Sequence, residues 1–196
     1  VYDVAQNKTI YLNITDFTDE RYLTNPAWSP DSKTIYIQVM NREQKALNLN
    51  AYDAITGEFK ATLLSESNPH FLEPNQPIIF LDNHRFIYTT DNRDGYYNLY
   101  LYSLKTNTLT RITRVNADVE YLTHDAQHIY YYSFEVSPAE RHLFRVNITS
   151  GKVTRLTHAE GWHTCQLSPD KRHFTDNYSS LNVPRVVAVS STDGRF

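Results

Sequence analysis

A repeated tight turn limits this chain to a small set of folds. Each copy has Gly or Asn at its third position, which supplies the positive φ angle that such a hairpin turn needs. Successive copies lie 50, 44 and 43 residues apart. A period of about 45 residues indicates a repeat protein whose unit is a small group of strands. The copies are Ile55-Thr56-Gly57-Glu58, Lys105-Thr106-Asn107-Thr108, Thr149-Ser150-Gly151-Lys152 and Thr192-Asp193-Gly194-Arg195.

A second turn precedes an aromatic-rich strand in each repeat. In Ser29-Pro30-Asp31 and Ser168-Pro169-Asp170, proline presets φ and aspartate can bond the backbone two residues later. After the second and third hairpins one strand pattern also returns, as Leu109-Thr110-Arg111-Ile112-Thr113 and Val153-Thr154-Arg155-Leu156-Thr157. The repeat unit therefore reads as four antiparallel strands, which is typical of a β-propeller blade.

The period predicts complete blades at residues 24–64, 77–113 and 119–157. Residues 1–14 fit the second half of a preceding blade, and residues 164–196 fit an incomplete last blade. Because both ends fall inside a blade and the chain does not begin with methionine, we expect a fragment of a larger propeller. A β-sandwich with irregular Greek-key connections is the alternative fold.

Composition also favours an all-β chain. It contains 15 Tyr and 9 Phe but only 5 Gly and 8 Pro, and no stretch combines a helical apolar stripe with helix caps. Several short runs are apolar or aromatic on both faces, as in strands that are covered on both sides. The clearest predicted strands are residues 34–39, 86–90, 98–104, 129–134 and 185–190.

Charge and cysteine content exclude several classes of protein. The net charge of −3, from 19 Lys and Arg against 22 Asp and Glu, and the lack of a basic run argue against a nucleic-acid partner. Cys165 is the only cysteine, so neither an intrachain disulfide nor a multi-cysteine metal cluster can form. No apolar stretch approaches the roughly 18 residues that span a bilayer.

The short motifs of common enzymes are also absent. The sequence has no Gly-x-Ser-x-Gly, no Gly-rich phosphate loop, no His-Glu-x-x-His and no Cys-x-x-Cys. His163 and Cys165 would share one face of a strand, but a small buried thiol after an inter-blade turn is the favoured interpretation. We therefore predict no catalytic residue, no metal site and no cofactor in this chain.

One connection between blades is the best candidate for ligand contact. It contains Pro69-His70-Phe71-Leu72-Glu73-Pro74 and could reach over the channel mouth, where propellers bind ligands. An ordinary connector is the alternative. The remaining carboxylates are expected mostly to be solvated loop charges: Glu66, Asp82, Asp91, Asp94, Glu120, Glu135 and Glu140.

Several segments resemble bacterial dipeptidyl peptidase IV propellers, in the correct order over nearly all of the chain. The run Arg93-Asp94-Gly95-Tyr96-Tyr97-Asn98-Leu99-Tyr100-Leu101-Tyr102 is similar to an Arg-Asp-Gly-(aromatic)-x-x-Leu-Tyr-Leu-Tyr signature of that family. Further similar segments are Pro26-Ala27-Trp28-Ser29-Pro30-Asp31, Ser137-Pro138-Ala139-Glu140-Arg141-His142, Gln166-Leu167-Ser168-Pro169-Asp170 and Val183-Pro184-Arg185-Val186.

The resemblance implies part of a serine exopeptidase of the prolyl oligopeptidase clan, which releases X-Pro or X-Ala dipeptides from peptide N-termini. Such proteins join an eight-bladed propeller to a C-terminal α/β-hydrolase domain, and this chain would be about the second half of that propeller. The family's paired glutamates, which hold the substrate's amino group, have no counterpart here. The resemblance places the connector at the substrate cavity, so Phe71 and Glu73 are its candidate lining residues.

The resemblance also implies a homodimeric parent protein that acts outside the cytoplasm, in the periplasm or at the cell envelope. A binding propeller of the TolB or sensor type is the alternative, because such propellers have Ser-Pro-Asp turns similar to those of this chain. A free-standing enzyme is disfavoured, because the catalytic motifs named above are absent from the sequence. We expect the isolated chain to hydrolyse no peptide and to bind peptides weakly if at all.

Overall fold

We describe the protein from a computed structural model, in which residues 1–18 and 20–193 are described. Every regular element in these residues is a β-strand. Within the same residues, no helix is long and apolar enough to cross a membrane. The predicted hairpin at residues 192–195 lies partly outside the described residues, and Phe196 lies wholly outside them.

The strands follow one another with short connections. They are β1 (Tyr2–Asp3), β2 (Lys8–Thr9), β3 (Arg21–Trp28), β4 (Thr34–Asn41), β5 (Ala46–Asp53), β6 (Phe59–Ser67), β7 (Ile79–Asp82), β8 (Arg85–Thr90), β9 (Asn98–Ser103), β10 (Thr108–Arg111), β11 (Val119–His124), β12 (His128–Ser133), β13 (His142–Asn147), β14 (Val153–Arg155), β15 (Trp162–Leu167), β16 (His173–Ser179) and β17 (Val186–Ser191). The five strands that the sequence predicted most clearly correspond to β4, β8, β9, β12 and β17.

The sheets repeat one simple topology. Strands β3–β6, β7–β10 and β11–β14 each form a four-stranded sheet in chain order, β15–β17 form a three-stranded sheet, and β1 pairs only with β2. The strand pairs whose register is defined are antiparallel. The all-β prediction is therefore confirmed, with four strands in each full repeat.

The middle strands of each full sheet are buried on both faces. In β4 and in β5 five of the eight residues are buried and the rest are partly covered, whereas the residues of β3 and β6 at the sheet edges are mostly exposed or partly covered. This difference explains the sequence pattern, since a strand covered on both sides needs apolar or aromatic residues without alternation.

The predicted hairpins use a left-handed residue at the expected place. Gly57, Asn107 and Gly151 have φ angles of 78°, 52° and 69°. At Gly57 a side chain would also collide with the chain, because an added Cβ would lie 2.1 Å from the carbonyl oxygen of Tyr11. Glycine is therefore required at position 57, while Gly151 has open space around it.

The chain divides into two compact units, each with its own core. The first comprises Val1–Arg93 and Tyr100–Thr110, and the second comprises Asp94–Leu99 and the residues from Arg111 onward. In the first unit Phe86 stacks on Tyr102 with ring centroids 4.8 Å apart. Burial of one such side chain contributes about 1.5–3 kcal/mol to stability. In the second unit the core residues are Tyr130, Tyr132, Leu143, Cys165 and Phe174.

Candidate functional site

The candidate site is the connector between β6 and β7, residues 68–78, in the first unit. It contains Pro69, Pro74 and Pro77, none of which has a backbone N–H to donate. Because a strand pairs through its N–H groups, this composition keeps the connector out of the neighbouring sheets. It crosses instead as an irregular segment, and none of its residues belongs to a strand.

Leu72 anchors the connector. Its side chain is 4% exposed and packs with Met40 and Leu47, the two residues that pair across β4 and β5. Its backbone N–H donates to the carbonyl oxygen of Gln44 at 2.6 Å, in the turn between those strands. One apolar contact and one backbone hydrogen bond therefore fix the middle of the connector to the β4–β5 hairpin.

The two predicted cavity residues flank this anchor. Phe71 is 59% exposed, and Glu73 is exposed on the other side of Leu72. A large aromatic ring that remains exposed beside a buried anchor is available for contact with a ligand. The structure thus places both residues on the surface of a held segment, and their role in a substrate cavity stays a prediction.

A buried carboxylate lies beneath the connector. The prediction that Glu66 is a solvated loop charge is wrong: it lies on β6 with only 4% of its side chain exposed. It accepts a hydrogen bond from the hydroxyl of Thr90 at 2.8 Å and pairs with Arg93 at 3.2 Å. Burial, reinforced by this carboxylate, raises the pKa of Tyr88 well above its usual range.

Glu66 and the connector enclose a small cavity. Its volume is about 10 Å³, and its walls include Glu66, Leu72, Glu73, Pro74 and Asp91. A space of this size holds at most about one water molecule. The cavity therefore offers no room for a substrate.

His163 and Cys165 do not form a dyad. His163 Nδ1 lies 2.8 and 2.9 Å from the two carboxylate oxygens of Asp176, and Nε2 lies 2.8 Å from the carbonyl oxygen of Ala159. Both ring nitrogens of His163 are thus engaged by groups other than Cys165. The Cys165 thiol instead donates to Asp176 Oδ1 at 3.4 Å. Burial, and then the Asp176 charge, raises the pKa of that thiol, so it is not a nucleophile.

Within residues 1–18 and 20–193, no three His, Cys, Asp or Glu side chains are arranged to hold a metal ion. The favoured sequence interpretation of Cys165, a small buried thiol, is confirmed by its 6% exposure. What the sequence did not indicate is its carboxylate neighbour Asp176, which faces it from the adjacent strand.

Comparison with known proteins defines the class. Two solved structures match this chain over 98% of its length: a putative dipeptidyl aminopeptidase IV from Bacteroides ovatus, with 31% identity and a TM-score of 0.87, and dipeptidyl peptidase 4 of Porphyromonas gingivalis, with 26% identity and a TM-score of 0.83. Together with the repeated antiparallel sheets, these matches define a β-propeller segment.

The family follows from the sequence itself. The family model described as the dipeptidyl peptidase IV N-terminal region matches residues 1–185. The chain therefore belongs to the dipeptidyl peptidase IV N-terminal region family. It spans 30% and 28% of the lengths of the two solved relatives.

Proposed function

We propose that this chain is a non-catalytic part of the propeller of a dipeptidyl peptidase IV-like serine exopeptidase. The parent protein releases X-Pro and X-Ala dipeptides from peptide N-termini, and its catalytic residues lie in a C-terminal α/β-hydrolase domain. The family match over residues 1–185 supports this proposal, as do the names of the two similar structures.

Within that parent, the proposed role of this chain is to restrict substrate access and to line the cavity through its connector. The observation that carries this role is the exposure of Phe71 and Glu73 on either side of the buried Leu72. The aromatic ring would pack against an apolar substrate side chain, and the carboxylate would attract a cationic group of the substrate.

The proposal also covers the oligomeric state and the cellular location of the parent protein. We take it to be a homodimer that acts on peptides outside the cytoplasm, in the periplasm or at the cell envelope. Both points rest on family membership alone, and size measurement and cell fractionation of the full-length protein would test them.

Kinetics of the full-length parent protein test the role of the connector. For Phe71→Ala we expect about a fivefold to tenfold loss of kcat/KM on peptides with an apolar residue near the cleaved bond, because a packing contact of about 1 kcal/mol is lost. For Glu73→Gln we expect about a threefold loss on peptides with a basic residue, a loss that shrinks as salt screens the charge.

Two surface variants serve as matched controls. Ile55→Ala removes an apolar side chain that is 73% exposed in a hairpin, and Glu58→Gln neutralises an exposed carboxylate in the same turn. Neither belongs to the connector. If Phe71→Ala and Glu73→Gln leave kcat/KM as unchanged as these controls do, the cavity-lining role is wrong.

A further inference from the structure

Side-chain amides take the place of backbone pairing along the second half of the connector. Pro74 and Pro77 have no backbone N–H to donate, while the carbonyl oxygens of Pro74 and Gln76 can still accept hydrogen bonds. Both carbonyls instead accept hydrogen bonds from amide side chains of the first unit. Their donors are two residues to which the sequence assigned no role, Asn25 and Gln38.

Asn25 occupies a bulge in β3. Its φ angle is 54°, and the register between β3 and β4 shifts between Thr24 and Ala27. Asparagine is one of the few residues that adopt this conformation readily. The bulge lets its amide reach in two directions: Nδ2 donates to Pro74 O at 3.1 Å and to Gln38 Oε1 at 2.9 Å.

Gln38 continues the chain of amides. It lies on β4 and is 1% exposed, so its polar atoms must find partners inside the protein. Its oxygen accepts from Asn25, and Nε2 donates to the carbonyl oxygen of Gln76 at 3.3 Å. The Gln76 side chain in turn donates to the hydroxyl of Thr89 on β8. These hydrogen bonds form a relay of side-chain amides, which runs from Asn25 on β3 through Gln38 on β4 and the connector to Thr89 on β8.

We propose that Asn25 and Gln38 are positioning residues that set the orientation of Phe71 and Glu73 and, through them, substrate selectivity. The inference rests on the proposed function of the connector. Asn68, whose N–H donates to the carbonyl oxygen of Lys45 at 3.0 Å, and Leu72 attach the first half of the connector to the β4–β5 hairpin. The attachment at Pro74, directly after Glu73, holds the other end, so that the stretch carrying Phe71 and Glu73 is held on both sides.

The variants distinguish the effect of the side-chain amide from the effect of the backbone conformation at position 25. Asn25→Gly keeps a residue that tolerates positive φ and removes only the side chain. Asn25→Asp keeps the shape but sets an acceptor against two oxygens that it cannot bond, so it should be the more harmful change. Gln38→Met removes the buried amide at similar volume. Asn107→Gly is the control, because it makes the same change at a positive φ in a distant turn of the same unit.

Two measurements on the full-length parent protein are needed. Hydrogen exchange of the Leu72 amide reports how firmly the connector is held, and we expect about tenfold faster exchange in Asn25→Gly and Gln38→Met, with a larger increase in Asn25→Asp. Steady-state kinetics report selectivity, and we expect the preference among peptide substrates to fall about threefold to tenfold through KM, with kcat for the smallest peptide substrate retained.

The outcomes distinguish a failure of this inference from a failure of the proposed cavity-lining function of the connector. Unchanged Leu72 exchange in Asn25→Gly and Gln38→Met, or effects equal to those of Asn107→Gly, would overturn the relay. Faster exchange with unaltered selectivity would also overturn it, provided that Phe71→Ala and Glu73→Gln do alter selectivity. If those two variants have no effect either, the cavity-lining function is wrong and the positioning role falls with it.

Discussion

In the sheets β7–β10 and β11–β14, a threonine hydroxyl just after the fourth strand makes the same backbone hydrogen bond. The side chain that this hydroxyl also contacts differs between the two sheets. In the first, the hydroxyl of Thr113 accepts the backbone N–H of Leu99 at 2.8 Å and donates to Asn98 Oδ1 at 2.8 Å. In the second, the hydroxyl of Thr157 accepts the N–H of Leu143 at 2.9 Å and contacts His142 Nδ1 at 3.2 Å. A neutral amide in one repeat is thus replaced by a titratable ring in the other.

The preceding arginines show the same division between shared and variable contacts. Arg111 and Arg155 each donate from Nε to the carbonyl oxygen two residues later, at 2.8 and 2.6 Å. Arg111 then pairs with Asp94, whereas Nη2 of Arg155 lies 3.0 Å from Nε2 of His142. The threonine and arginine contacts with the backbone are therefore shared by these two sheets, while the second side-chain partner of each residue differs.

In the comparison of these two sheets, the largest expected effect comes from removing the shared hydroxyl. Thr113→Val and Thr157→Val each leave a buried backbone N–H without its acceptor, and we expect each to lower the free energy of unfolding by about 1–3 kcal/mol. Both threonines are almost fully buried, at 0% and 3% exposure. Urea denaturation measures the change, and Thr110→Val, on the exposed side of β10, is the control. Unequal losses would mean that the two repeats are not equivalent here.

A smaller effect concerns pH, because only one of the two repeats carries a histidine at this position. Burial lowers the pKa of His142, with Arg155 and His163 acting in the same direction and Glu140 opposing them. The unfolded chain therefore takes up this proton at a higher pH than the folded chain. Stability is fully present above about pH 6.5 and declines as the pH falls from there towards the folded pKa.

His142→Asn makes the second repeat resemble the first and removes this dependence. We expect the variant to lose less stability than the original chain between about pH 7.5 and about pH 5.5, as measured by thermal or urea unfolding at each pH. His84→Asn changes an exposed histidine in a turn and is the control. An identical pH dependence before and after His142→Asn would show that the ring does not titrate as its surroundings predict.

The same contrast explains what the sequence could predict. Features that the backbone imposes recur at a fixed period, so the strands, the hairpins and the position of the connector could be predicted from turn residues and apolar runs. Contacts between residues far apart in the sequence leave no such pattern. Glu66 meets Thr90 and Arg93, which lie 24 and 27 residues further on. Asp176 and the amide of Asn25 were missed for the same reason.

The smallest expected effect compares two hairpins at the same place in the repeat. Asn107 and Gly151 both have positive φ angles, and an added side chain at Gly151 would meet open space. Gly151→Asn should therefore change the free energy of unfolding by less than about 1 kcal/mol, because the strain of a side chain at positive φ opposes the gain from removing glycine's conformational freedom, and Asn107→Gly should have a similarly small effect.

Gly57 shows where this equivalence of turns ends. Gly57→Asn should destabilise the first unit strongly, since its side chain would meet the carbonyl oxygen of Tyr11. The free energies of unfolding of Gly151→Asn, Asn107→Gly and Gly57→Asn, measured under one condition, would test these expectations. A gain in stability for Gly57→Asn would contradict the packing of Tyr11 on this turn, and a loss of several kcal/mol for Gly151→Asn would contradict the equivalence of the second and third turns.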